Sequence, residues 1–239
     1  MVASGPPNTD NGAPCVWEPF ILSHDNKFAV YFSDQSDPKY GQKLSHRLTT
    51  NLNKWTGTLD DVTNANYTLR PGMITISKIS SGKWMCSYEM GLDADESAPY
   101  KTHYRIADSP FSFLNAKEIP LKTNTGGFSS AGPYTVWTPA GGPHGTIVVS
   151  DSTYDQLFLN TENGDPNHWK NVTSGHGVGY TRSLMVLPGN GGKLVQVLNG
   201  GAIYARKDDI ITVGDFVVPG PPAAPHLVDD ATSTCMSHH

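Results

Sequence analysis

Met73-Ile-Thr-Ile-Ser-Lys-Ile79, Ser80-Ser-Gly-Lys83 and Trp84-Met-Cys-Ser-Tyr88 follow one another without interruption. An apolar, β-branched run leads into a four-residue polar turn and out into a second run rich in large side chains. Gly82 supplies the residue that accepts the positive φ a tight hairpin turn demands, so the segment predicts a β-hairpin. The same unit occurs before it as Glu18–Leu22, the turn Ser23–Lys27 and Phe28–Phe32. It returns as Tyr134–Trp137, a loop through Gly141–Gly145 and Thr146–Ser150, and again as Ser183–Leu187, Pro188–Gly192 and Lys193–Leu198. Third runs follow at Lys43–Leu48, Thr102–Ile106, Gln156–Leu159 and Ala202–Ala205. Hairpins recurring about every 50 to 60 residues suit the blades of a propeller, whereas a sandwich would space its strands more evenly. The fold class expected is all-β, a β-propeller with about four blades in this chain.

Composition agrees with that texture. The 239 residues include 24 Gly and 18 Pro, more than long helices tolerate. A net charge of −5, with 17 Lys and Arg scattered singly, offers no basic stripe for a phosphate backbone, so no nucleic-acid partner is expected. No run reaches the roughly 18 apolar residues of a membrane span, and no membrane partner is expected. Met1–Pro14 is polar, without an apolar signal core. It reads as a flexible segment (1–14) ahead of the blades (15–218), and the Pro-rich stretch 219–239 reads as a tail. Three cysteines cannot build a disulfide framework, and Cys15 and Cys86 are expected to be free and buried. Asn66-Tyr-Thr and Asn171-Val-Thr are glycosylation sequons. His144, His168 and His176 lack the close spacing of a metal site, and no phosphate loop, dinucleotide fingerprint or nucleophile elbow occurs. No metal and no cofactor are expected.

Strand topology locates the candidate site. In a propeller the first strand of each blade lines the axis and the second returns antiparallel, so the start of one and the end of the other share a face. Glu18, Arg70, Tyr180 and Arg182 stand at or before the starts of first strands, and Asp34 and Glu89 close second strands. Two carboxylic acids at one polar mouth can cleave a glycosidic bond, one protonating the leaving oxygen while the other attacks the anomeric carbon or activates water. The arginines and the tyrosine can hold hydroxyls, and Trp17, Tyr134 and Trp137 can stack on sugar rings. Each has a plainer reading: a solvated strand-end acid, an arginine paired for structure, an aromatic in the core. Trp55 and Trp169 read as structural.

At Val16-Trp-Glu-Pro-Phe, Tyr31-Phe-Ser-Asp-Gln, Gly41-Gln-Lys-Leu, Leu69-Arg-Pro-Gly-Met, Ser87-Tyr-Glu and Gly179-Tyr-Thr-Arg-Ser-Leu, the chain resembles fungal glycoside hydrolase family 93. The likeness runs from about Val16 to Phe216. It implies a sialidase-like propeller, six-bladed in the family, that releases arabinobiose from the end of linear arabinan with retention. It implies Glu18 and Glu89 as the catalytic pair, in an order left open, an oligosaccharide or polysaccharide partner, and secretion. Thr49–Trp55 and Asn160–Trp169 look like degenerate Asp-box turns. Only 15 residues precede Val16, where a family member carries further blades. The chain is therefore expected to be a fragment, to self-associate over bare blade edges, or to have given up catalysis. A non-catalytic carbohydrate-binding propeller and a sialidase-like enzyme are the alternatives.

Overall fold

The structure, a computed structural model, describes residues 13–92, 100–180, 182–199 and 212–221. Blade 1 is a meander of β1 (Val16–His24), β2 (Lys27–Asp34), β3 (Lys43–Thr49) and β4 (Leu59–Val62). Blade 2 repeats it with β5 (Leu69–Lys78), β6 (Trp84–Leu92), β7 (Lys101–Ala107) and β8 (Ile119–Pro120). Blade 3 is built from β9 (Thr135–Thr138), β10 (Thr146–Ser150), β11 (Gln156–Asn160) and β12 (Trp169–Thr173). Blade 4 joins β13 (Ser183–Val186), β14 (Leu194–Asn199) and β15 (Thr212–Val217). Every pairing is antiparallel and sequential, and the first strands meet in order, β1 with β5, β5 with β9 and β9 with β13. That is a four-blade propeller arrangement. The third run expected at Ala202–Ala205 lies outside the described residues, and β15 pairs with β14 in blade 4.

The apolar residues fill three seams between blades. Ala29, Tyr31 and Leu44 of blade 1 pack on Ile74, Ile76 and Tyr88 of blade 2. Met85 and Tyr104 meet Ile147, Phe158 and Trp169 across the next seam, and Val148 and Leu157 meet Leu184 and Val197 across the last. Burying each such side chain contributes roughly 2 kcal/mol, which makes the seams the main source of stability. At the ends of the array, Ile21 of β1 and Met185 of β13 remain 68% and 48% exposed. Cys15 and Cys86 are free and buried, and burial pushes both thiols up.

The two Asp-box remnants keep their turns through side chains. Thr49 Oγ1 accepts the N–H of Leu52, and the Trp55 indole donates to the Leu52 carbonyl at 3.2 Å. Asn160 Oδ1 accepts the N–H groups of Glu162 and Gly164, while Trp169, fully buried, donates to the Tyr104 hydroxyl. Both tryptophans are structural, as the sequence implies, Trp55 closing its turn and Trp169 joining the seam between blades 2 and 3.

Candidate active site

Glu18 stands on a break in β1. The pairing with β2 slips between Trp17 and Phe20, and Glu18 takes φ 55, in the left-handed region a non-glycine residue rarely occupies. The bulge re-aims its carboxylate toward the axis. Oε2 accepts the Ser33 hydroxyl at 2.7 Å and the backbone N–H of Met73 at 2.9 Å. Met73 belongs to blade 2 and sits on a matching break, φ 55, where β5 slips against β6 between Gly72 and Thr75.

Glu89 lies directly opposite Gly72 and, unlike the strand end expected, is followed by three more residues of β6, because the pairing with β5 continues to Leu69. It is buried, and its Oε2 accepts the N–H of Gly132 at 2.7 Å. Gly132 precedes β9 in blade 3 and has φ 57, which a side chain would resist. Each glutamate therefore accepts a backbone N–H from the entry to the next blade's first strand. Burial pushes the Glu89 carboxyl up to about 7; the Gly132 bond and Arg70 oppose that shift, and the Glu18 charge adds to it. Glu89 is the group in this mouth able to hold and release a proton near neutrality.

Gly72 separates the two acids. A Cβ there would lie 3.3 Å from Glu18 Oε2, 3.5 Å from Glu89 Oε1 and 3.1 Å from the Gln42 amide nitrogen. The two carboxylate oxygens are consequently no further apart than the sum of the first two distances, about 6.8 Å. Gln42 is buried, donates to the Pro71 carbonyl at 2.8 Å and accepts from Arg70 at 3.0 Å, so Arg70 reaches the mouth through it. Tyr180 faces the same pair: burial and the nearby Glu89 and Glu18 charges hold its phenol well above the usual tyrosine range, so it stays a proton-bearing donor. Below Glu18, Phe20, Met73, Gly132 and Tyr134 line a hollow of about 230 Å³.

The remaining expected residues stand apart from the pair. Asp34 lies at the rim, but its Oδ1 is taken by the backbone N–H of Ser36 at 2.8 Å and by the Ser36 hydroxyl. Its neighbour Ser33 makes the contact with Glu18 instead. Arg182 borders the hollow yet is 1% exposed; its guanidinium donates to the Gly177 and Gln156 carbonyls and lies 3.9 Å from Asp155. It braces the loop ahead of blade 4. Trp17 is half-buried, with its indole beside the Cys15 thiol. Trp137 sits at the far end of β9, donating to the His144 carbonyl at 3.0 Å, and is remote from the mouth. Ser33, Gln42, Gly72, Met73 and Gly132 escaped the sequence reading, although all but Gly132 fall inside the quoted motifs. Among the described residues no cluster of His, Cys, Asp and Glu can hold a metal ion, and no helix is long and apolar enough to cross a membrane.

No family model and no curated protein matches the sequence. Solved structures do. The Penicillium chrysogenum α-L-arabinanase complexed with arabinobiose is 34% identical with a TM-score of 0.84, covering 90% of this chain and 62% of that one. The GH93 α-L-arabinofuranosidase of Fusarium graminearum, also with arabinobiose, is 33% identical with a TM-score of 0.83, covering 90% and 61%. A Trypanosoma rangeli sialidase mutant, 8% identical at a TM-score of 0.53 over 84% of this chain and 36% of that one, shares the fold alone. This chain thus spans 61 to 62% of the length of the arabinanase and the arabinofuranosidase. Identity of 33 to 34% across 90% of its residues exceeds what a shared fold requires, and the chain is similar over most of its length to a structure of glycoside hydrolase family 93.

Proposed function

We propose that the chain is part of an exo-acting, retaining glycoside hydrolase on α-1,5-linked arabinan, with Glu18 as nucleophile and Glu89 as general acid and base. The observation that carries the assignment is the unequal setting of the two carboxyls. Glu89, buried and pushed up to about 7, can carry a proton to a leaving oxygen. Glu18 has both of its hydrogen bonds on Oε2, which orients Oε1 for attack. In the first step Glu89 protonates the glycosidic oxygen while Glu18 bonds to the anomeric carbon and the shortened chain departs. In the second, the Glu89 carboxylate takes a proton from water, whose oxygen attacks the same carbon and displaces Glu18. Two inversions give net retention. A separation bounded at about 6.8 Å accommodates the roughly 5 Å spacing of retaining enzymes.

The test is release of arabinobiose from linear arabinan as a function of pH. Activity is expected to fall as pH rises through about 7, where Glu89 loses its proton, and Glu89→Gln is expected to lower it about 10³-fold. Stability carries the same signature. The folded pKa lies above the ordinary glutamate value of 4.5, so Glu89 favours folding below that value and the contribution is lost as pH rises toward 7, on the order of 3 kcal/mol. Urea titrations should show that slope in the parent and not in Glu89→Gln. A chain inert on arabinan at high loading at every pH sinks the reading.

A further inference from the structure

Between blades 2 and 3 lies a second hollow of about 370 Å³ that the chemistry above does not use. Its walls carry Tyr100, Phe128, Tyr154, Gln156 and Asn171, with Lys101 at the edge. Phe128 and Tyr154 are 44% and 50% exposed, a large outlay of aromatic surface for one small place. Lys101 Nζ stands 5.0 Å from the Phe128 ring centroid, and the Asn171 amide donates to Gln156 at 3.0 Å.

The hollow and the catalytic mouth are built on neighbouring stretches of backbone. Lys101 and Thr102 begin β7, and Thr102 lies directly opposite Glu89. Tyr100 packs on Gly91, where a Cβ would come 2.2 Å from its ring. Buried Asp151 ties the parts together: its carboxylate accepts the N–H groups of Ser130 and Tyr154, and Ser130 is two residues from Gly132, the donor to Glu89. The wall of the hollow and the partner of the acid are therefore held by one side chain.

We propose that this groove holds the polysaccharide chain on the leaving-group side of the scissile bond. The inference rests on the hydrolase assignment above. The groove starts one residue from Thr102, the strand partner of Glu89, and two residues from Gly132, its backbone donor, so it is the nearest surface to receive the chain that departs once Glu89 has protonated the leaving oxygen. Exposed aromatic rings, an amide pair and a single cation suit a neutral sugar chain, whose C–H faces stack on rings while its hydroxyls take hydrogen bonds.

The experiment compares Phe128→Ala/Tyr154→Ala with the parent on two substrates, linear arabinan and a 4-nitrophenyl arabinobioside, whose small leaving group cannot span the groove. Both rings are half exposed, so the variant is expected to melt with the parent. KM for arabinan should rise about tenfold with kcat unchanged, and kcat/KM on the arabinobioside should stay within about twofold. An unchanged KM for arabinan overturns the proposal, as does an equal loss on both substrates. If the parent cleaves neither, the hydrolase assignment fails, and gel retardation by linear arabinan then decides the groove. Retardation of the parent that the variant loses upholds it as a sugar-binding site; no retardation, or equal retardation, overturns it.

Discussion

In β1 the pairing slips between Trp17 and Phe20; in β5 it slips between Gly72 and Thr75. At each break one non-glycine residue takes φ 55, Glu18 in the first blade and Met73 in the second. The first break presents a carboxylate, and the second presents a backbone N–H to that carboxylate at 2.9 Å. One blade further on, Gly132, φ 57, presents its N–H to Glu89. Blades 1 to 3 thus each place one left-handed residue in or just before the first strand, and its side chain decides whether it becomes an acid or a partner for one. Left-handed backbone at a non-glycine residue costs on the order of 1–3 kcal/mol, and at Glu18 and Met73 that cost falls on residues of the mouth.

Removing the acid that blade 1 places on its break should have the largest effect. Glu18→Gln keeps the shape but not the charge, and kcat on linear arabinan should drop about 10⁴-fold with unfolding unchanged within about 1 kcal/mol. A drop of less than tenfold would show that the break in β1 serves structure alone.

Altering the gap between the blades should cost less. Gly72→Ala places a methyl between both carboxylates and Gln42 without demanding unusual backbone, since Gly72 is not in the left-handed region. Activity is expected to fall about 10- to 100-fold with little change in Tm. Full activity in that variant would mean that the pair does not need its present spacing.

The smallest effect is expected from the partner that blade 1 supplies to its own acid. Ser33→Ala deletes one of the two bonds to Glu18 Oε2 and leaves the Met73 N–H in place. A loss of about tenfold in kcat/KM and about 1 kcal/mol in urea stability should follow. If Ser33→Ala equals Glu18→Gln in its effect, the cross-blade N–H contributes nothing.

Strand existence and rim placement were legible because they depend on neighbours in the chain. Gly82, at φ 82, turns the β5–β6 hairpin, and alternating strand directions put Glu18 and Glu89 on one face without any knowledge of packing. Side-chain direction at the rim was not legible. Asp34 reads as the stronger candidate than Ser33, yet the register sets Ser33 opposite Trp17 and lets it reach Glu18, while Asp34 turns to Ser36. Arg182 carries a charge that suits a substrate, but the loop ahead of blade 4 needed its carbonyls capped.

By itself, then, the sequence determined the repeating hairpins, the all-β class and the pairing of two glutamates across adjacent blades. Those follow from turn residues and from the antiparallel return of the chain, both short-range. The tertiary structure alone decided which glutamate is buried near the neutral range and which backbone N–H groups serve them. It also decided that a glycine keeps the pair together, because burial and backbone donors come from other blades and leave no mark on the residues they serve.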